Sequence, residues 1–419
     1  MKIAVVGGGS TYTPELVDGL ARLRSVLPVT ELALVDTAAD RLGVVGRFAA
    51  RIFAQHDHPG KVTWTTVADE GLDAADVVLI QLRVGGQRAR MSDETFPMEC
   101  GCVGQETTGA GGLAMALRTV PAVLRVAERA ARRAAADAWI IDFTNPVGIV
   151  TRALLDAGHR AVGLCNVAIQ LQRRCANLLG VAPEKVVLDH IGLNHLTWTR
   201  AAFVNDEDRL PELLSAHPHA LAAEVGLPAE LLTFFGSVPS SYLRYFYFHD
   251  AVVEAERGAP TRGAQVAAIE QSLLEIYADP SVSTKPDLLA QRGGAYYSEA
   301  AVGLIAALNG NSPGPHVANV RNNGTVPHLP DEAVVEGTCD VDSGGPRLRR
   351  IRPLPPEMSG LISHVAGYEE LALAAAVHGG RDRVYRALLA HPLVGQHDIA
   401  DALTDRLVAA NADYLAWAR

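Results

Sequence analysis

The sequence predicts an α/β protein built on a doubly wound parallel sheet, followed by a second domain of mixed α+β texture. Three observations carry this. Short apolar runs alternate with amphipathic segments through the first half, a glycine-rich turn joins the first run to the first helix, and the texture changes past about Pro183. The runs are "KIAVVG", "ELALVD", "VTWTTV", "DVVLIQL", "AWIIDFTNP" and "AVGLCN". Continuous Val, Ile and Leu suit strands covered on both faces, and alternation with helices implies parallel pairing. Helical periodicity predicts helices at 13–23, 41–54 and 113–136. Later, "VVLDHIGLNHLTWTRAAFVN" reads as longer strand material, and helical patterns at 240–249, 263–277, 293–307 and 360–378 dominate the remainder of the chain. The segment 343–356, "SGGPRLRRIRPLPP", reads as a loop. At 419 residues the chain is long for one unit, so domains at 1–182 and 183–419 are expected.

Composition narrows the function classes. With 48% hydrophobic and 20% charged residues the chain can bury a large core. A net charge of −10 argues against a general nucleic-acid binder, which needs excess positive charge. An anionic small molecule needs only a local cluster of arginines. Five scattered cysteines make no disulfide framework. The start "MKIAVVGGGS" lacks the apolar core of a signal peptide, and no run reaches membrane-spanning length. The expectation is a cytoplasmic protein with neither a nucleic-acid nor a membrane partner.

The turn "VVGGGSTYTPEL" ends a strand and opens a helix. Gly7 and Gly9 allow the tight turn and the close backbone approach that a pyrophosphate needs at a helix N-terminus. Ser10 and Thr11 continue the turn, and Arg41 lies near the start of the next predicted helix; all three are candidate cofactor contacts. Tyr12 stands where the third glycine of a dinucleotide fingerprint would be. Asp36 ends the second strand, where a carboxylate binds ribose hydroxyls and repels a 2′-phosphate, favouring NAD over NADP. The first domain is therefore expected to be Rossmann-like and to bind NAD.

Chemistry-bearing residues then collect at predicted strand ends. After the fourth strand come Arg83, Arg88 and Arg90, whose guanidinium forks suit phosphate or carboxylate oxygens, and then Glu106 in "GQETTGAGG". Asn145 and Pro146 end the next strand, where an Asn can reach ligand hydroxyls. Cys165 and Asn166 end the strand after that, and "GLNHLTW" adds Asn194 and His195. A thiolate and an imidazole can hold a transition metal with positions open for substrate oxygens. A buried thiol and a satisfied core histidine are the alternative reading. Tyr242 stands close to Tyr245 and Tyr247, which also fits an aromatic core stripe; Pro239 and Ser240 before it suggest a helix start. Cys100 and Cys102 lack zinc-site spacing and receive no role.

The ordered set "GGGSTYTPEL", "RVGGQRARMSDE", "GQETTGAGG", "TNP", "LCN" and "GLNH" resembles glycoside hydrolase family 4, and later fragments such as "PSSYLRYFYF", "PTRGAQ" and "ALLAHPLV" extend the likeness over nearly the whole chain. The closest branch is similar to the 6-phospho-β-glucosidases. The resemblance implies a malate/lactate dehydrogenase-like fold, NAD and a divalent metal, usually Mn²⁺. It implies Cys165 and His195 as metal ligands and Tyr242 as catalytic base, with Glu106 near the reacting centre. Arg90, Asn145, Asn166 and Arg262 match substrate positions, Arg262 facing the sugar 6-phosphate. Asn166 stands where α-specific members carry an Asp acid, so this chain resembles the β-specific branch. The implied chemistry is oxidation at sugar C3, loss of the C2 proton, elimination of the aglycone, addition of water and reduction, an exception to paired-carboxylate hydrolysis. Relatives of this kind imply a homodimer or homotetramer acting on a phosphorylated glycoside. The alternatives are another family 4 substrate (an α-galactoside, a glucuronide or another 6-phosphoglycoside), an NAD-dependent dehydrogenase of the malate/lactate type, or a silent NAD sensor.

Overall fold

The computed structural model describes residues 1–294 and 296–418. Six strands form the parallel part of the sheet: β1 (Lys2–Val6), β2 (Glu31–Val35), β3 (Lys61–Thr65), β4 (Val77–Ile80), β5 (Trp139–Asp142) and β6 (Ala161–Gly163). Their order is β3-β2-β1-β4-β5-β6, all parallel, so the topological switch point lies between β1 and β4. The first-half strands fall on the six apolar runs; five are buried almost throughout, while β3, at the sheet edge, is partly exposed.

The sheet then continues without a break across residue 182. Beyond β6 lie β11 (Gly314–Arg321), β12 (Val334–Asp342), β7 (Val186–Leu193), β8 (Leu196–Val204) and β10 (Val238–Pro239), all antiparallel. Two short strands, β9 (Glu207–Asp208) and β13 (Gly345–Leu348), pair with β8 and β12. The expected long strand material is thus a hairpin: Leu193 pairs with Leu196, and Asn194 and His195 make the two-residue turn, His195 at φ +65°.

Helices cover both faces. One apolar core lies under the helices Thr13–Arg22, Ala39–Gln55 and Tyr297–Leu308, with Phe48 stacked on Tyr277 at 4.4 Å. The opposite core lies under Gly109–Arg133, Val147–Asp156 and Pro356–His378. Gly109–Arg133 is, among the described residues, long and apolar enough to span a membrane, against the sequence expectation. Its continuous apolar surface is instead explained by packing: most of the helix is buried in this core.

Three other expectations change. Strands β11 and β12 lie where helical patterns were expected to dominate; buried Asn319 and Glu336 interrupt their apolar register, which hid them. The segment 343–356 is not all loop, because β13 closes a hairpin on β12 and its arginines pair back, Arg347 with Asp342 and Arg352 with Asp189. The helix expected from 293 begins at Tyr297, since Gly293 and Gly294 sit at φ +93° and +88°, outside the helical region.

Candidate active site

The nucleotide pole is a backbone device. Gly7 has φ +90°, and a Cβ there would lie 2.5 Å from the Gln81 carbonyl oxygen. A Cβ at Gly9 would lie 2.9 Å from Asp36 Oδ2, the atom that accepts the Gly9 N–H at 3.0 Å. The other Asp36 oxygen accepts the Ala38 N–H at 3.0 Å, so the carboxylate is held at the end of β2. Arg41 donates from Nε to the Gly9 carbonyl at 2.7 Å. Tyr12 replaces a third glycine because its hydroxyl donates to the Gly294 carbonyl and its ring packs edge-on against Tyr297. This glycine turn, with a fixed carboxylate one strand over, fits the diphosphate and ribose of a dinucleotide.

The second pole assembles from distant segments. Arg83 and Arg90 both grip the buried Glu106, the Arg90 Nη2 to Glu106 Oε1 distance being 3.0 Å. Burial pushes the Glu106 carboxyl up, but Arg83 and then Arg90 outweigh it and hold the pKa below the ordinary value. Arg90 also donates from Nε to Glu94 at 2.7 Å, and Glu94 accepts the Gly263 N–H at 2.7 Å, tying the helix Gly86–Thr95 to the start of Arg262–Ala278. Next to Glu106, Thr107 Oγ1 lies 3.1 Å from His195 Nδ1. The His195 ring stacks on Tyr242, with centroids 3.7 Å apart and planes at 4°.

Tyr242 belongs to a short turn, Ser241–Leu243, whose N-cap Ser240 accepts the Tyr242 N–H. The helix expected over 240–249 therefore breaks into Ser241–Leu243, Arg244–Tyr247 and His249–Glu256. Burial raises the Tyr242 pKa, and the charges of Cys165, Tyr245 and Glu106 raise it further; a hydrogen bond with Thr107 opposes them.

Cys165 sits just before the helix Val167–Leu179, with the Val167 and Asn166 backbone N–H groups and the Asn194 side chain bonding to its sulfur. Burial, and then the charge of Glu336, push the thiol up to about 12. The His195 imidazole is pushed down to about 4 by burial, against Glu336 and Glu106. It is therefore a neutral imidazole near pH 7, and its Nδ1 contact with Thr107 leaves Nε2 as the nitrogen that could accept a metal. Helix-terminal N–H groups aimed at a sulfur suit a thiolate, so the pair fits a divalent ion. Among the described residues no group of three or more His, Cys, Asp or Glu is arranged as a metal site; Cys165 and His195 are the pair that could hold an ion here.

Residues 2–181 match the Family 4 glycosyl hydrolase model, and residues 190–394 match the Family 4 glycosyl hydrolase C-terminal domain. The chain is 35% identical to the probable 6-phospho-beta-glucosidase of Bacillus subtilis (strain 168), over 99% of this chain and 97% of that one. The chain belongs to glycoside hydrolase family 4. A solved family 4 structure, the 6-phospho-beta glucosidase from Thermotoga maritima with manganese, NAD+ and glucose-6-phosphate, superposes with a TM-score of 0.91 at 31% identity, covering 99% of both chains. The fold alone extends further: malate dehydrogenase from Plasmodium falciparum in complex with NADH reaches a TM-score of 0.52 at 13% identity, covering 90% of this chain and 99% of that one.

Within this family 4 chain, Arg90, Glu106, Tyr242 and Arg262 line one cavity of about 470 Å³. Asn145 lies three residues beyond the end of β5, and its buried Oδ1 has no hydrogen-bond partner. Asn166 is the N-cap of Val167–Leu179, immediately after Cys165. Gly7, Gly9, Ser10, Thr11, Asp36 and Arg41 gather at the nucleotide pole. The arginine cluster is split, however: Arg88 is exposed and reaches Tyr414 instead. On a helix, residues 88 and 90 are too close in sequence to share a face.

Sequence reasoning missed three residues. Arg244 and Arg292 also line the cavity. Glu336, on β12 and 1% exposed, accepts from Asn194 at 2.7 Å and Asn319 at 3.0 Å and lies 3.2 Å from His190 Nε2. Burial raises its pKa, but His190, Asn194 and Asn319 bring it below the ordinary value, leaving a fixed negative charge beside Cys165 and His195. Its one sequence signal was a carboxylate inside the apolar run "AVVEGTC".

Proposed function

We propose that this family 4 hydrolase cleaves 6-phospho-β-glucosides with NAD and a divalent metal, Mn²⁺ being the first to test. The reading rests on one observation: Tyr242 stacks on His195, beside Cys165 and the clamped Glu106, in a cavity joined through Arg292 and Glu270 to a glycine turn shaped for a dinucleotide. When bound, NAD supplies reversible hydride transfer at sugar C3, and the metal at Cys165 and His195 supplies the positive charge that acidifies C2–H and brings the Tyr242 phenol into range.

The chain's own groups do the rest. Tyr242 takes the C2 proton, with Thr107 orienting its hydroxyl. Arg83 and Arg90 keep Glu106 ionised beside it, where its charge favours a phenol that returns the proton. The unpartnered Asn145 Oδ1 accepts a sugar hydroxyl. Arg262 starts a helix whose N-terminus opens on the cavity, a setting that suits the sugar 6-phosphate, and Arg292 adds a second guanidinium. Asn166 has no carboxyl proton to donate, which fits β-linked substrates whose departure relies on water. We read 1–182 as the part that holds the cofactor and contributes Arg90, Glu106 and Cys165, and 183–419 as the part that adds His195, Tyr242 and Arg262. We read the enzyme as cytoplasmic and as a homodimer or homotetramer; Phe234, 81% exposed beside Phe235, is apolar surface that assembly would cover.

The test is a chromogenic 6-phospho-β-glucoside assayed in D₂O with and without NAD⁺, Mn²⁺ and thiol. Release of aglycone without net NADH, with deuterium at C2 of the product sugar, is expected. Net NADH without aglycone would instead establish a dehydrogenase. Aglycone release that survives removal of both cofactors would refute the reading.

A further inference from the structure

Behind the glycine turn, one buried carboxylate gathers donors from both poles. Glu270 stands on the helix Arg262–Ala278 and is 5% exposed. Its Oε1 accepts the Thr11 hydroxyl at 3.1 Å and Arg292 Nη2 and Nε at 2.9 and 3.2 Å, and it pairs with Arg41 Nη2 at 3.2 Å. Thr11 and Arg41 belong to the nucleotide pole, where Arg41 also holds the Gly9 carbonyl. Arg292 belongs to the sugar pole: it lines the cavity with Arg262, and its guanidinium lies 5.3 Å from the Tyr12 ring centroid. Burial raises the Glu270 pKa, but Arg292 and Arg41 hold it below the ordinary value, so the group is a carboxylate. One carboxylate oxygen has too few lone pairs to serve all these donors fully, so they compete for it.

We propose that Glu270 is a positioning residue that couples the two poles. A diphosphate at the glycine turn draws the Arg41 and Thr11 donors to itself; Glu270 then closes on Arg292 alone and fixes that guanidinium in the cavity wall. An ordered guanidinium loses less freedom when an anionic sugar arrives, so occupancy of the turn tightens binding in the cavity. By linkage, the sugar phosphate tightens nucleotide binding by the same factor. The inference rests on the proposed cofactor and substrate, and goes beyond them to how the two sites communicate.

Nicotinamide would touch the sugar directly and mask the effect, so the probe is ADP-ribose, which carries the diphosphate without that ring. Glucose 6-phosphate binding is titrated calorimetrically into the full chain at constant Mn²⁺, with and without saturating ADP-ribose. In the parent protein ADP-ribose tightens the sugar phosphate by about fivefold or more. Arg41→Ala should itself weaken ADP-ribose, since Arg41 belongs to the nucleotide pole, so the factor is read at saturating ADP-ribose; there it falls toward one in both Arg41→Ala and Glu270→Gln. The Arg41 side chain is 34% exposed, so its removal leaves the core intact and decides the matter even where Glu270→Gln does not fold. A factor of one, or a loosening, in the parent protein overturns the coupling, as does an undiminished factor in Arg41→Ala. Failure of ADP-ribose to bind the parent protein would remove the cofactor reading and the coupling with it.

Discussion

The two poles of the site are built by different means. The nucleotide pole is nearly all local: residues 7–41 supply the glycine turn, the carboxylate of Asp36 and the guanidinium of Arg41, and the shape is set by backbone atoms. The second pole draws Arg83, Glu106, Cys165, His195, Tyr242 and Glu336 from separate elements, and it is made mainly of side chains. A backbone-built site tolerates side-chain exchange but not an added Cβ. A side-chain-built site should fail at single functional atoms while the fold persists.

The largest expected effect separates the poles most sharply. Tyr242→Phe removes one oxygen and should lower kcat by about 10²–10⁴-fold. Calorimetric binding of NAD⁺ and Mn²⁺ should stay near parent values; loss of NAD⁺ binding would mean the poles are not separable. Glu336→Gln should weaken Mn²⁺ binding by about 10–100-fold, because a neutral amide no longer balances charge behind Cys165 and His195. Titration of Mn²⁺ by electron paramagnetic resonance checks this, and unchanged affinity would make Glu336 a purely structural residue. Gly7→Ala attacks the other pole. The φ of +90° and the Gln81 carbonyl should cost about 1–3 kcal/mol of stability and weaken NAD⁺, with Mn²⁺ affinity of the folded protein intact. Thermal unfolding and NAD⁺ titration read the two effects together. The smallest effect sharpens the comparison from outside both poles: Arg88→Ala should leave kcat/KM within about twofold, since an exposed side chain away from the site carries little energy.

Legibility in the sequence divides along the same line. Gly7, Gly9 and Asp36 were legible because their spacing is itself the geometry. Cys165, His195 and Tyr242 could be read as a set only through the resemblance to family 4; by residue type alone they read first as core thiol, core histidine and aromatic stripe. Glu336 and Glu270 were not legible. Each is a carboxylate inside an apolar or helical pattern, and its partners lie 142 and 259 residues away in Asn194 and Thr11. Arg88 shows the converse error, for neighbours in sequence point to different sides of a helix.

Local chemistry in the chain therefore determined the parallel half of the sheet and the glycine turn, because apolar periodicity and backbone freedom act over a few residues. Tertiary structure alone decided that one continuous sheet runs through both halves, that a two-residue hairpin presents His195 to Tyr242, and that Glu106, Glu270 and Glu336 stay ionised while buried. The reason is electrostatic: a buried charge is tolerated only where distant donors converge on it, and no short stretch of sequence records that convergence.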